Sequence, residues 1–228
     1  MSLRIFPPRI KSFLEIYLSP AERLSEIIFG LIMVLTITST LKIALTDGEA
    51  GIRTMAIAAL GCNAAWGIVD GAMYIFTGVF ERDRCARLVS CIKSTPDNNS
   101  ALAAIENELE PTILWVLDET ERKRIYTEVL KSASRALPQE SKITKDDFFG
   151  AISCFLIVFF STFPVLIPLL VVQNLDIATR ISNLVAIGML FFIGYEWAKY
   201  TNRNRFKAGM GMVLIGSSIV GVTLALGG

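Results

Sequence analysis

The sequence predicts an all-α integral membrane protein with five transmembrane helices and a three-helix cytoplasmic insert between spans 2 and 3. Two observations carry this prediction. The chain has 228 residues, 53% of them hydrophobic, and the apolar residues gather into five long runs. Residues 81–147 instead hold 24 of the 43 charged side chains. One chain therefore contains segments suited to lipid and a segment suited to water.

Each apolar run is long enough to cross a bilayer, because a span needs about 20 mostly apolar residues. Lipid offers no water to pair with backbone groups, so runs of this length are expected to be helical. The five predicted spans are Ser25–Leu45, Thr54–Phe80, Phe148–Val172, Ile181–Lys199 and Ala208–Leu226.

Basic residues near the span ends predict the orientation. Lysine and arginine are concentrated before the first span, in the insert and between the last two spans, which favours the cytoplasmic side for all three. The N-terminus of this multi-pass protein is then cytoplasmic and Gly228 faces the opposite side. The short loops are typical of a bacterial inner membrane protein.

Four regions follow from this pattern. Residues 1–22 form a cytoplasmic N-terminal segment, in which we expect an interfacial helix near Ile10–Glu22. Spans 1 and 2 occupy residues 23–80, and the cytoplasmic helical domain occupies residues 81–146. Spans 3, 4 and 5 lie within residues 147–228.

Composition argues against several classes of protein. A net charge of +1 does not suit nucleic-acid binding, which relies on a large basic excess. The four cysteines lack metal or disulfide spacing, so free thiols are expected. The chain contains no histidine and no nucleophile motif, and we therefore predict neither an enzyme nor a tightly bound cofactor.

Asp70 is the clearest functional candidate, because a charge at the centre of a span costs at least ~2.5–3.5 kcal/mol. It lies about 15 Å along the helix from Phe80, near mid-membrane. Helical spacing predicts that Asn63, Trp66 and Met73 share its face. A carboxylate, an amide and a thioether on one stripe would suit a cation path. The alternative is that Asp70 bonds a neighbouring helix.

Other polar residues near or within spans have simpler interpretations. Glu22 and Glu26 lie at the start of the first span, where the helix dipole favours carboxylates. Glu196 is expected to pair with the nearby Lys199, and Asn183 to join two helices by a hydrogen bond.

Proline interrupts the third predicted span at Pro164 and Pro168. Proline removes a backbone donor and kinks a helix, so Pro164 is a candidate hinge. A static kink explains the same residues equally well.

The insert contains the densest acidic stretch of the chain. Its candidate metal ligands are Glu106, Glu110, Asp118 and Glu121. Carboxylate oxygens suit Mg²⁺, Mn²⁺ or Fe²⁺. Their spacing is equally that of a solvated helix face, with basic residues directly after Glu121.

Several features of the chain match one family: the order of two spans, an insert and three spans, the segment SEIIFGL, and the final segments FLIVFFSTFPVLIPLLVV, GYEWAKYTNRN and AGMGMVLIGSSIVGVTLALGG. In these features the chain resembles the vacuolar iron transporter-like family, from about Pro20 onward. The resemblance implies a homodimeric exchanger that moves Fe²⁺ or Mn²⁺ against protons. It also implies a metal path between the first spans of two subunits.

Two departures from the family pattern concern the path itself. Where the family has Asn-Asp-Gly in the first span, this chain reads Ile32-Met33-Val34. The family's Met-x-x-Gly-Glu in the second span is matched by Trp66-Gly-Ile-Val-Asp70, which keeps only a carboxylate.

Two functions from different classes remain. The first is a divalent metal transporter, proton-coupled, in a homodimer embedded in the lipid bilayer, with Fe²⁺ or Mn²⁺ as substrate. Its predicted path contains Asp70, Met33, Met73, Glu26 and Asn63. The second is a non-transporting membrane scaffold whose cytoplasmic helices dock a partner, and the missing Asn-Asp-Gly favours it.

Overall fold

The computed structural model describes residues 13–45, 48–95, 97–109, 113–136 and 142–227, and every regular element among them is helical. The α-helices are α1 (Phe13–Tyr17), α2 (Pro20–Ala44), α3 (Glu49–Ser94), α4 (Asn98–Leu109), α5 (Glu119–Arg135), α6 (Lys145–Ser161), α7 (Phe163–Val171), α8 (Leu175–Trp197) and α9 (Arg205–Gly227). Short 3₁₀ helices occupy Ile113–Val116 and Ala198–Tyr200.

Five helical segments are long and apolar enough to cross a membrane. They are Pro20–Ala44, Glu49–Ser94, Lys145–Val171, Leu175–Tyr200 and Arg205–Leu226. This confirms the prediction of an all-helical, multi-pass membrane protein with five candidate spans. Each of these segments begins three to six residues before the predicted run, because hydropathy marks the part suited to lipid whereas helices begin at their caps.

The start of α2 shows how a cap sets such a boundary. The Ser19 hydroxyl accepts a hydrogen bond from the Glu22 backbone N–H at 3.3 Å, and the Glu22 carboxylate accepts one from the Ser19 N–H at 2.7 Å. Pro20 occupies the first helical position, where its missing N–H costs nothing. The helix therefore begins five residues before the predicted apolar run at Ser25.

The chain divides into two compact units. One comprises Met1–Ile75 with Lys145–Gly228, and the other comprises Phe76–Thr144. The second unit has its own small core, formed by Ile92, Ala101, Ile105, Tyr126 and Ala133. The predicted three-helix arrangement of the insert and its cytoplasmic location stay predictions.

The first unit packs around buried aliphatic side chains. The largest of them that are fully buried include Leu31, Leu35, Met55, Leu169 and Leu190. Many apolar side chains on the outer surfaces of the same helices are instead exposed. This arrangement suits a helix bundle whose outer surface contacts lipid.

The third span is broken, as the prolines predicted. α6 ends at Ser161 and α7 begins at Phe163, with Pro164 in its first turn. The Thr162 N–H bonds the Phe159 carbonyl at 3.3 Å, a tighter turn than the α-helical pattern. The kink is confirmed, whereas the role of Pro164 as a hinge stays a prediction.

Polar side chains join α8 to the rest of the bundle. The Thr38 hydroxyl donates to Asn183 Oδ1 at 3.1 Å, and Asn183 Nδ2 donates to the Ser39 hydroxyl oxygen at 3.2 Å. These bonds confirm the helix–helix role predicted for Asn183. The predicted pair of Glu196 with Lys199 is also present.

Replacing Asn183 tests the link between α2 and α8. We expect Asn183→Ala to lower the free energy of unfolding by about 1 kcal/mol, since interhelical hydrogen bonds in membranes contribute about 0.6 kcal/mol each. Thermal unfolding in detergent measures the change. Ser218→Ala is the control, because the Ser218 hydroxyl donates only within its own helix, to the Leu214 carbonyl. Equal losses in the two variants would contradict the proposed link.

Candidate functional site

Two membrane carboxyl groups that are far apart in sequence meet in the first unit. Glu26 lies near the start of α2, Asp70 lies in the middle of α3, and their carboxyl groups are close enough to interact electrostatically. Glu26 Oε2 and Asp70 Oδ2 are buried and receive no hydrogen bond from any residue that the structure describes. The pair therefore suits a shared proton or a bound cation, because two adjacent carboxylates repel each other strongly.

Cys154 of α6 is the third member of this group. Its side chain lies next to Glu26, and only 1% of the residue is exposed. A thiol is a weak donor, so this neighbour can offer the Glu26 carboxylate a hydrogen bond. Sequence reasoning missed this residue, because a cysteine in an apolar run reads as a small hydrophobic side chain.

Glycines allow the three helices of the site to approach one another. A Cβ atom at Gly71 of α3 would lie 2.8 Å from the Ala151 carbonyl oxygen of α6. A Cβ atom at Gly30 of α2 would overlap the Ser161 hydroxyl, and one at Gly150 of α6 would overlap the ring of Tyr74. Small residues of this kind let membrane helices pack with their backbones close together.

Asn63 forms a second buried polar contact, two helical turns before Asp70. It is fully buried, and its Nδ2 donates to the Gly30 carbonyl at 3.0 Å and to the Thr162 hydroxyl. Asn63 thereby ties α2 and α3 to the break between α6 and α7. Its amide hydrogens are used in these contacts, and its place in a transport path stays a prediction.

The two methionines predicted for the path, Met33 and Met73, and the neighbouring Trp66 differ in their exposure. Met73 is 55% exposed and Trp66 is 45% exposed, so both lie toward the outer surface of α3. On a helix these two positions are rotated by about 60–80° from Asn63, which is enough to separate an inner face from an outer one. Met33 is partly buried, about 10 Å along α2 from Glu26.

Carboxylates in the insert are engaged in local structure. The Asp118 side chain accepts from the Glu121 N–H at 2.8 Å, and Glu121 accepts from the Asp118 N–H at 3.4 Å, which forms a capping box at the start of α5. The Lys123 ammonium, 2.6 Å from the Glu119 carboxylate, lowers the pKa of Glu119. These contacts are those of a solvated helix.

The structure contains no group of three or more Cys, Asp or Glu side chains arranged to hold a metal ion, within the residues it describes, so Glu26, Asp70 and Cys154 do not form a three-ligand site as they stand. Of the predicted ligands in the insert, Glu110 lies outside the described residues, whereas Glu106, Asp118 and Glu121 lie within them. The metal site of the insert therefore stays a prediction.

Comparison with known proteins extends this description. The five candidate spans define a multi-pass membrane protein. A family model described as the VIT family matches residues 86–228, which is more than half of the chain, and the protein belongs to this family. No curated protein matches the sequence. The family indicates a function in metal ion transport rather than catalysis.

The range that the family model matches contains only part of the candidate site. It includes Cys154 and the break after α6, and it begins after Glu26, Asn63 and Asp70. The carboxyl pair is therefore assigned from the geometry of this chain.

Gly71 and Gly61 of α3 offer a matched test of the close packing. We expect Gly71→Ala to destabilise the protein by about 1–3 kcal/mol, because the new Cβ meets a backbone carbonyl and forces α3 and α6 apart. Gly61→Ala has nothing within 4 Å of its Cβ and should be neutral or slightly stabilising. Thermal unfolding in detergent compares the two, and a loss in Gly61→Ala as large as in Gly71→Ala would contradict the packing argument.

Proposed function

We propose that this protein transports a divalent metal cation, Fe²⁺ or Mn²⁺, in exchange for protons. The observation that carries the proposal is the contact between Glu26 and Asp70 within the membrane-spanning unit. Family membership supports metal ion transport in general. The carboxylate oxygens of the pair match the preference of Mn²⁺ and Fe²⁺ for oxygen ligands.

Competition at the carboxyl pair explains how exchange would be coupled. A pair of adjacent carboxyl groups favours holding a proton when no cation is bound, because two neighbouring carboxylates repel each other. A divalent cation between the two groups replaces that proton and offsets both negative charges. Metal binding therefore releases protons, and protonation from the other side of the membrane favours release of the metal.

The proposed assembly is a homodimer in the lipid bilayer. Glu26 lies on the first span, the element that the family resemblance places at the path between subunits. Apolar side chains nearby on the same two helices are exposed, with Phe29 of α2 at 51% and Met73 of α3 at 55%. In the membrane this surface is covered by lipid or by a second copy of the chain.

One observation favours the alternative of a non-transporting scaffold. The first span has Ile32-Met33-Val34 where family members have Asn-Asp-Gly. A chain that had lost transport would keep the helical bundle and use the second unit to dock a partner. Transport measurements separate the two functions.

Uptake of Mn²⁺ and Fe²⁺ into proteoliposomes tests the proposal. We expect uptake that depends on a pH gradient and falls at least about tenfold in Asp70→Asn and Glu26→Gln, since each change removes one charge from the pair. Asp176→Asn is the control, because Asp176 is an exposed carboxylate paired with Lys42 at 2.7 Å. Uptake equal to that of empty liposomes would favour the scaffold. Retained uptake in Asp70→Asn would instead disprove the site.

The pH dependence of metal binding gives an independent test. We expect the apparent Kd for Mn²⁺ to rise as the pH falls, by about tenfold per pH unit for each proton displaced. In Glu26→Gln one titrating group is gone, so the slope should be shallower as well as the affinity weaker. Calorimetry on the purified protein at several pH values measures both. A slope unchanged from the wild-type value in Glu26→Gln would contradict a shared proton.

A further inference from the structure

α1 lies against the part of α6 that precedes the candidate site. The rings of Phe13 and Tyr17 contact the ring of Phe149, with centroids 6.0 and 5.6 Å apart respectively. Phe13 and Tyr17 also contact each other, at 5.1 Å. α1 is therefore held on the surface of α6 by aromatic contacts, and its Glu15 carboxylate also pairs with the Arg23 guanidinium of α2 at 3.3 Å.

The residue that follows α1 reaches the candidate site. Leu18 is 2% exposed and clusters with Cys154 and Ile157, with Leu14 and Tyr74 packed against them. Because Cys154 lies next to Glu26, Leu18 covers a side chain that adjoins the carboxyl pair. Cys154 is 1% exposed beneath this cover.

A single hydrogen bond fastens the end of α1 to α3. The Tyr74 hydroxyl donates to the backbone carbonyl of Tyr17 at 2.9 Å, and Tyr17 is the last residue of α1. Carbonyls at the end of a helix have no partner within it, so this bond is made with a group that is free to accept. The ring of Tyr74 is fixed separately, in the space opposite Gly150.

The other side of α1 borders open space. A crevice of about 540 Å³ lies between α1 and the neighbouring helices, and its lining includes Phe13, Leu14, Ile27, Ile157, Phe160 and Pro164. A shift of α1 in this direction would displace lipid chains or water, and would not compress a packed core. Pro164 stands at the same crevice, so the break in the third span adjoins α1.

We propose that α1 and Leu18 form a movable cover over the Glu26–Asp70–Cys154 site, held closed by the bond from Tyr74 to Tyr17 together with the Glu15–Arg23 pair. Displacement of α1 opens the site at this end of the bundle. Tyr74 is a positioning residue in this arrangement, because it acts on the site through α1. The proposal does not depend on which ion the site binds.

The reactivity of Cys154 measures the state of the cover. In full-length protein with Cys62, Cys85 and Cys91 replaced by serine, N-ethylmaleimide should modify Cys154 slowly. We expect Tyr74→Phe to raise the rate about threefold to tenfold, as the loss of one neutral hydrogen bond implies. This substitution removes the bond to Tyr17 and leaves the atoms that cover the thiol in place.

Three controls isolate local opening. Tyr195→Phe removes a hydroxyl from α8, where the Tyr195 ring contacts Phe191 and Arg205 but not α1, and should leave the rate unchanged. A parallel series with Cys62 as the only thiol reports on loosening of the whole bundle. Hydrogen–deuterium exchange of residues 13–19 reports on α1 itself and does not depend on thiol chemistry.

Faster modification of Cys154 and faster exchange of α1 in Tyr74→Phe, with Cys62 unchanged, would support the cover. Unchanged Cys154 and α1 would show that α1 is a static clamp and would overturn the proposal, as would an equal increase at Cys62. Metal is absent from these measurements, so their outcome is separate from that of the transport experiments.

Discussion

The contact between Glu26 and Asp70 is the interaction on which the rest of the site depends. A lone carboxylate within a span is expensive, and the two groups meet by taking α2 and α3 close together against α6. Once they are in contact, a proton or a cation must offset their charge. The same contact that lowers the cost of burying two acids therefore makes their charge state depend on what is bound.

Backbone proximity makes this contact geometrically achievable. Gly30, Gly71 and Gly150 remove the side chains that would separate the helices, and Asn63 then links Gly30 to Thr162 across three of them. The break after α6 is part of the same arrangement, since Thr162 is both the residue at the break and the partner of Asn63. A change of conformation at the break would therefore alter the contacts of α2 and α3.

The sequence predicted the features whose signal is local. Apolar runs located the five spans, prolines located the break in the third, and the isolated polar residue Asn183 was identified as a helix–helix contact. The contact of Glu26 with Asp70 and the role of Cys154 were not predicted, because they depend on how three helices are rotated relative to one another. The rotation of α3 about its own axis also decides which of its side chains face outward. It places Trp66 and Met73, which were expected on the face of Asp70, toward the outer surface.

The position of Glu26 bears on the missing family signature. In the first span the family's carboxylate belongs to the Asn-Asp-Gly segment, which here is Ile32-Met33-Val34. Glu26 stands seven residues earlier than Met33, two turns along the same face of α2, and it reaches Asp70 of the second span. The first span therefore still supplies a carboxylate to the second, although at a different depth. The pair therefore lies toward the start of α2 and close to α1, and not near mid-membrane, where the spacing from Phe80 predicted Asp70. A cation bound there would lie at the end of the bundle where access to the site would be controlled.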